Sequence, residues 1–469
     1  MTILAPFLAQ ADRTPDRPAL IDRHGRQVTF RELSRRAARL AQAWTGRGIV
    51  AGDRVLVAVP VSIALYAALI ALWRLGATAV FPEPALGFAG LCQAAEATRP
   101  RALCAPRWLR ALALTSQMMR RIPMRLSPFE DAAASETRIA DSDHPALISF
   151  TSGSTGAPKA MARSHALLLA QHAATARLLD PGAQPARDLV WFPVFVLANL
   201  GLGITSVLPA ARLGRPERAN AAHLAEQMRT AGVTRLLAPP AVCALLCETP
   251  LALNTIFTGG GPVFPNLLGR LADRFPDTAV HAVYGSTEAE PIADLAAAKL
   301  TAEDRQAMLA GGGLLAGRPV PEVRLRLVED EILVAGPHVN PGYLDPARDA
   351  ESKSRDADGT VWHHTGDAGR LDRQGRLWLL GRHAARVGGL YPVQAEAAAH
   401  TWPGVRQVAL VVLDGRGVLA IAGDSTRLVE WGLAARALGD IEVHPVPRIP
   451  LDRRHGSKVD YPRLLAMLR

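Results

Sequence analysis

The nine residues Thr151-Ser-Gly-Ser-Thr-Gly-Ala-Pro-Lys159 place four hydroxyls, two glycines and one lysine in a single short run. Glycines let backbone N–H groups turn toward an anion, hydroxyls add donors, and the ammonium neutralises charge, so the chemistry is that of a phosphate cradle. It is not the Walker arrangement. Ala157-Pro158 separate Gly156 from Lys159, and no Ser or Thr follows the lysine to hold magnesium. A solvent-exposed Ser/Thr/Gly linker would share this composition. Three features favour function: the apolar run Leu147–Phe150 before it, the helix-like Ala166–Leu179 after it, and the rarity of lysine. Arginine supplies almost all the positive charge, and the only lysines are Lys159, Lys299, Lys353 and Lys458. A compact ammonium cannot be replaced by arginine's planar fork, so a lysine retained in a motif is informative. Lys299 and Lys353 sit in no motif and are expected at the surface.

The elements that must carry this loop are those of an α/β protein. A chain of 469 residues is too long for one ordinary core. Up to about residue 330, short β-branched runs alternate with alanine- and leucine-rich stretches: helical Arg31–Arg47, strand Val55–Val59, helical Val61–Leu75, strand Ala77–Phe81. That alternation predicts mainly parallel sheets covered by helices. Val323–Val328 and Glu331–Val334 read as a hairpin around an acidic turn, within a β-rich subdomain. Gly381–Gly389 has no period and is glycine-rich, which predicts a hinge. Beyond it, helical Gln394–His400, strands Val408–Leu413 and Val418–Ala422, and helical Leu428–Ala437 make a small α+β domain. The expected organisation is a large body over 1–380, a hinge over 381–389 and a small mobile C-terminal domain over 390–469.

Several classes are disfavoured. The net charge is +10, but the basic residues are dispersed, so no nucleic-acid partner is expected. The uncharged stretch Val55–Trp73 is split by Pro60 into a strand-like and a helix-like half, and Leu189–Ala211 is broken by prolines and glycines. No transmembrane segment is expected. Met1–Gln10 lacks the charged leader of a secretory signal. Cys92, Cys104, Cys243 and Cys247 form no metal pattern, and reduced buried thiols with a cytoplasmic location fit them best.

Thr151–Lys159 resembles the signature loop of the adenylate-forming superfamily, which includes acyl-CoA synthetases, peptide-synthetase adenylation domains and luciferases. Further motifs follow in that superfamily's order. Thr29-Phe-Arg-Glu-Leu33 and Leu75-Gly-Ala77 resemble its early structural motifs, and Gly259-Gly260-Gly261-Pro262 its adenine-side loop. Tyr284-Gly-Ser-Thr-Glu288 resembles its nucleotide and magnesium motif, Thr365-Gly-Asp367 its ribose motif, Gly381-Arg382 its hinge motif, and His455-Gly-Ser-Lys458 its catalytic-lysine motif. The resemblance implies ATP and Mg²⁺ as cofactors. Thr151, Ser152, Gly153, Ser154, Thr155, Gly156 and Lys159 would hold phosphates, Thr287 would touch the α-phosphate, Glu288 would hold the metal, and Tyr284 would stack on adenine. Asp367, a carboxylate able to accept two hydrogen bonds from a diol, would take the ribose with Arg382 nearby. Lys458 would bridge the carboxylate being activated and the nucleotide. His165, after Ser164, reads as a cap or packing group.

The apolar stretch Trp191–Gly203 is the expected acyl pocket, with Trp191, Phe195 and Asn199 as its candidates, and it suits an aliphatic acid. Trp191-Phe-Pro-Val-Phe195, Gly285–Pro291, Gly375–Trp378 and Asp452–Lys458 look most like the olefin β-lactone synthetases. These adenylate a long-chain β-hydroxy acid and let its hydroxyl close a lactone with loss of AMP. The expected activity is therefore ATP-dependent formation of acyl-AMP and pyrophosphate, with lactone closure as the second step. The alternative is an acyl-CoA or acyl-carrier-protein ligase, and a catalytically silent nucleotide-binding scaffold is the third reading. Ala384 and Ala385 stand where many thioester-forming relatives carry an acidic hinge residue, which leaves coenzyme A open. The expected partners are a carboxylic acid and ATP, with a carrier protein or pathway enzyme as further candidates.

Overall fold

A computed structural model describes residues 2–82, 86–133, 145–152, 158–182, 184–451 and 458–469. Its contacts divide the chain into two compact units. The first comprises Met1–Ala211, Glu226–Val233 and Pro337–Lys353; the second comprises Arg212–Ala225, Thr234–Gly336 and Ser354–Arg469.

The first unit holds two groups of strands. β1 (Pro18–Ile21) and β2 (Gln27–Thr29) join β9 (Arg187–Val190) and β10 (Thr205–Val207) in the order β9-β10-β1-β2. The other sheet contains β3 (Arg54–Val57), β4 (Thr78–Phe81), β5 (Ala102–Cys104), β6 (Met124–Leu126), β7 (Pro145–Ser152) and β8 (Pro158–Ser164), ordered β6-β5-β3-β4-β7-β8. All its pairings are parallel except β7 with β8. Such a sheet must be covered on both faces, which is why its inner strands β3, β4 and β5 are mostly apolar and buried. Helix Ile63–Arg74 is buried at every residue and Ser62 caps it. With β3 before it, this helix is the expected reading of the Pro60-divided stretch.

The early motif Thr29–Leu33 proves to be a helix start. The Thr29 hydroxyl accepts the Glu32 N–H at 3.2 Å, and the Glu32 carboxylate accepts the Thr29 N–H at 2.8 Å, a capping box for helix Phe30–Gly46. Its inward residues Phe30, Leu33, Leu40 and Trp44 are essentially fully buried against the Ile63–Arg74 helix.

In the second unit, β11 (Arg235–Ala238), β12 (Thr255–Gly259) and β13 (Ala279–Tyr284) run parallel, and β14 (Ala293–Ala296) turns the sheet antiparallel. β15 (Leu314–Pro319), β16 (Arg324–Val328) and β17 (Glu331–Ala335) follow. The chain re-enters this unit through β18 (Lys353–Arg355), then forms β19 (Val361–Leu371) and β20 (Leu377–Arg382). The order from one edge is β16-β17-β19-β20-β15-β14-β13-β12-β11. The expected acidic hairpin is present: Glu329 and Asp330 both adopt positive φ, 48° and 70°, between β16 and β17. Two consecutive left-handed residues match the twist of a tight hairpin, and acidic side chains tolerate that region better than branched ones.

The expected C-terminal α+β segment also forms. β21 (Val405–Leu413), β22 (Arg416–Gly423) and β23 (Ile441–Pro445) make a three-stranded sheet. One face buries Leu410, Leu419, Ile421 and Trp431, and the other Val411, Val418, Ile449 and Leu464. Helix Pro392–Ala399 contributes Ala395 and Ala399 to the first of these cores. The segment belongs to the second compact unit, so the expected break at 381–389 lies inside that unit. Among the described residues no helix is long and apolar enough to cross a membrane, and the four cysteines are free, with Cys104, Cys243 and Cys247 buried.

Candidate active site

The strands β7 and β8 place Lys159. Antiparallel register sets Thr151 opposite Lys159 and Ser152 opposite Pro158, so the predicted phosphate loop connects two paired strands. Gly153, Ser154, Thr155 and Gly156 lie outside the described residues, and of Thr151 and Ser152 only the backbone is described. The Lys159 side chain is 9% exposed and its Nζ lies 3.0 Å from Glu351 Oε2. The same ammonium stands 5.4 Å from the centre of the Tyr343 ring.

Lys353, expected at the surface, is instead half-buried. Its Nζ donates to the Asn340 carbonyl and lies 5.6 Å from the same Tyr343 ring. Two of the chain's four lysines thus flank one aromatic, an arrangement in which the ring's negative faces offset ammonium charge. The segment carrying Tyr343 and Lys353 is tied to β8, the strand of Lys159, by the Leu344 N–H, which donates to the Ala160 carbonyl at 2.9 Å.

The residues expected on the nucleoside side are gathered in the second unit. Asp367 on β19 pairs directly with Arg382 on β20, and the guanidinium reaches Asp367 Oδ1 at 3.3 Å. Facing residues on antiparallel strands meet without any loop having to be ordered. The Tyr284 hydroxyl donates to Asp367 Oδ2 at 2.9 Å, so the expected adenine and ribose residues touch. Burial and the adjacent Asp367 push the Tyr284 phenol well above its ordinary value, which keeps it a donor. The Asp367 carboxylate raises the Arg382 guanidinium, and Tyr284, Tyr461 and Glu288 contribute in the same direction. One charge neighbourhood therefore includes Asp367, Arg382, Tyr284, Glu288 and Tyr461.

Local geometry explains how each is presented. Ser286 N–H donates to the Ala289 carbonyl at 2.8 Å and Ala289 N–H returns to the Ser286 carbonyl at 3.1 Å. Thr287 and Glu288 are the two central residues of that turn, half-buried at its tip. Gly259 sits opposite Val283, one residue before Tyr284; a Cβ there would lie 2.4 Å from the Val283 carbonyl oxygen, so only glycine lets β12 approach. Gly260 follows at φ 75°, and Gly261 continues the loop. The turn before Asp367 is held by Glu331, whose carboxylate accepts the Gly366 N–H at 3.1 Å and contacts His364 Nδ1 at 2.9 Å.

Lys458 is exposed and immediately precedes Val459, which bridges to Leu451. His455, Gly456 and Ser457 of its motif lie outside the described residues. Three residues on, Tyr461 opens helix Tyr461–Leu468, capped by Asp460, and its phenol is raised by burial first, then by Glu396 and Asp367.

The acyl-side candidates divide. Trp191 is 2% exposed, and Phe195 is half-buried with its ring edge-on to Phe192 at 5.9 Å. Asn199, expected to line the pocket, has no exposed surface. Its Nδ2 donates to Asp188 Oδ2 at 3.0 Å and to Ser206 Oγ at 3.1 Å, so it cross-links helix Pro193–Leu202 to β9 and β10. A buried amide must satisfy its donors, and here the strands do so. His165 is likewise fully buried and lies 3.4 Å from the Ile3 N–H, in keeping with a packing role.

Sequence reasoning missed Glu331, Tyr343, Glu351 and Tyr461. Lysine scarcity could have flagged Lys353; nothing local marks Glu331 or Glu351, because their partners are far away in the chain.

A mixed α/β body with a donor-rich loop between paired strands and a carboxylate–guanidinium pair backed by a tyrosine is that of a nucleotide-using enzyme. Comparison with known proteins makes this specific: residues 7–344 match the AMP-binding enzyme family, and the chain belongs to it. It is 31% identical to the olefin β-lactone synthetase of Stenotrophomonas maltophilia (strain K279a), over 93% of this chain and 90% of that protein. The olefin β-lactone synthetase of Xanthomonas campestris pv. campestris is 29% identical with the same coverage. Among solved structures, the O-succinylbenzoate coenzyme A synthetase of Bacillus subtilis, in complex with ATP and magnesium ion, superposes with a TM-score of 0.78. It is 22% identical and covers 96% of this chain and 97% of its own.

Proposed function

We propose that the protein activates a long-chain β-hydroxy acid with ATP and closes the resulting acyl-adenylate to a β-lactone. In the first step a carboxylate oxygen attacks the α-phosphorus and the bond to the β-phosphate breaks, releasing pyrophosphate. In the second, the β-hydroxyl oxygen attacks the acyl carbon, the acyl–phosphate bond breaks, AMP leaves and the hydroxyl proton passes to solvent. Nucleophile and acyl carbon already belong to one molecule, so the second step carries little entropic cost. The contact of Tyr284 with the Asp367–Arg382 pair carries the nucleotide half of this reading; likeness to the two olefin β-lactone synthetases supports the lactone half.

Lys159 and its loop would take the phosphates, Asp367 and Arg382 the ribose, and Tyr284 the base. Lys458 would neutralise the approach of two anions. Among the described residues no three metal-ligating side chains cluster. A single carboxylate, Glu288, suits Mg²⁺ held chiefly by phosphate oxygens, since that ion rarely takes an all-protein cage. When bound it would supply charge neutralisation on the phosphates. The segment 390–469 would move as a domain about 381–389, and the reduced thiols fit a cytoplasmic enzyme.

A second reading, an acyl-CoA or carrier-protein ligase, draws on the hinge. Gly388 and Gly389 adopt φ 53° and 88° as the central residues of a turn closed by reciprocal Val387–Leu390 backbone hydrogen bonds of 2.7 and 2.8 Å, and a Cβ at either would meet nothing within 4 Å, a glycine turn where a pivot would sit. Incubation with ATP, Mg²⁺ and a long-chain β-hydroxy acid without any thiol separates the two. Rapid AMP release with a lactone product is expected; adenylate that waits for coenzyme A would overturn the lactone step.

A further inference from the structure

Lys159 is the cation of the phosphate loop, yet a carboxylate already sits on it. Glu351 Oε2 lies 3.0 Å from its Nζ while the other oxygen, Oε1, lies 3.1 Å from Arg348 Nη1. The lysine is 9% exposed and Glu351 44% exposed, so the ammonium is fixed and the carboxylate has room to swing. Lys159's hydrogen bond also holds the Glu351 carboxyl below its ordinary value, so it is anionic at neutral pH.

We infer that Glu351 competes with the polyphosphate of ATP for the ammonium of Lys159, and that Arg348 receives the carboxylate when phosphate wins. The inference rests on the phosphate role proposed above for Lys159. Any phosphate oxygen in contact with that ammonium stands within a few ångströms of Glu351, where like charges repel at short range. Arg348 already holds half of the carboxylate, so release requires one contact to break and no new partner to be found. Lys353 keeps a second positive charge beside the site after the exchange, on the Asn340 carbonyl and against the Tyr343 ring. The arrangement weakens ATP binding and, by the same competition, assists the departure of pyrophosphate. Glu351 is thus a positioning residue that acts through Lys159.

The plain alternative is that Glu351 merely orients the lysine, and the two differ in sign. Binding of ATP, pyrophosphate and AMP to the full chain is measured by titration calorimetry for wild type, Glu351→Gln, Arg348→Met and the double variant. Glu351→Gln is isosteric at an exposed position and is expected to tighten ATP and pyrophosphate by about twofold to fivefold, the scale of one partly exposed charge contact. AMP, which lacks the leaving phosphates, is expected to bind both proteins alike. Arg348→Met should weaken ATP, and that effect should vanish in the Glu351→Gln background. Weaker or unchanged ATP and pyrophosphate binding in Glu351→Gln, or an equal gain for AMP, overturns the inference. Carboxylate-dependent pyrophosphate exchange by the wild type is scored separately: its absence across an acid panel would refute the adenylation reading and leave the binding comparison standing.

Discussion

The Lys159 and Asp367 clusters solve the same problem, holding a charged side chain in place, in opposite ways. Asp367 meets Arg382 because β19 and β20 are in register, and Tyr284 completes the set from the end of β13. Its geometry is built into backbone pairing. Lys159 meets Glu351 and Tyr343 through a segment that reaches β8 by a loop, and its partner is half-exposed. Register gives a fixed geometry; an ionic partner on a loop gives one that can be exchanged. A group that keeps one ligand through the whole reaction suits the first, and a group whose ligand departs suits the second.

The most severe test falls on a residue outside both clusters. Lys458→Ala is expected to lower pyrophosphate exchange by about a hundredfold to a thousandfold, the scale seen when a charge-stabilising donor is removed, while leaving the thermal midpoint unchanged because Lys458 is exposed. Exchange at the wild-type rate would show that the assigned role is wrong. The fixed cluster is tested by Asp367→Asn, which keeps the shape and removes the charge facing Arg382. Its kcat/KM for ATP should fall by roughly thirtyfold, as for loss of a charge-assisted pair, and its preference for ATP over 2′-deoxy-ATP should shrink. An undiminished preference would mean that the carboxylate does not touch the sugar.

A third test concerns stability. Glu396 is 4% exposed, accepts the Leu410 N–H at 3.0 Å, and burial pushes its carboxyl from 4.5 to about 7. The folded protein therefore retains a proton that the unfolded chain releases. Stability from this group is fully present below pH 4.5 and declines as pH rises through about 7, a loss of about 3 kcal/mol. Glu396→Gln removes that decline, so its thermal midpoint should exceed wild type at pH 8 and match it near pH 4.5. Parallel curves across that range would refute the assignment.

What was legible in the sequence follows from how locally each feature is encoded. The Pro60 break, the acidic turn at Glu329–Asp330 and the strands β21 and β22 are set by neighbouring residues, and all appear, whereas β23 was not foreseen. Asp367 and Arg382 were legible as motif residues, and β19–β20 register supplies the reason they meet. The burial of Asn199 was legible, since an apolar stretch announces burial without telling pocket from core, but its partners were not: Asp188 and Ser206 lie on two strands brought together only by folding. Lys353 was misread because its ring and its acceptor, Tyr343 and Asn340, form no recognised motif.

The acidic turn has one more consequence. Tyr391 donates to Asp330 at 3.2 Å, Arg386 approaches the same carboxylate at 3.7 Å, and His383 Nε2 lies 2.9 Å from the Glu329 carbonyl oxygen. The stretch expected to be the hinge is thus moored to a single two-residue turn. Arg386 and Asp330 are both about half-exposed, and at ordinary ionic strength mobile ions screen such pairs over about 10 Å. Dissolved salt therefore loosens the Arg386–Asp330 ion pair more than the hydrogen bonds of Tyr391 and His383. The background electrolyte thus grades how firmly residues 383–391 hold to this turn, at side chains distinct from Tyr284, Asp367 and Arg382.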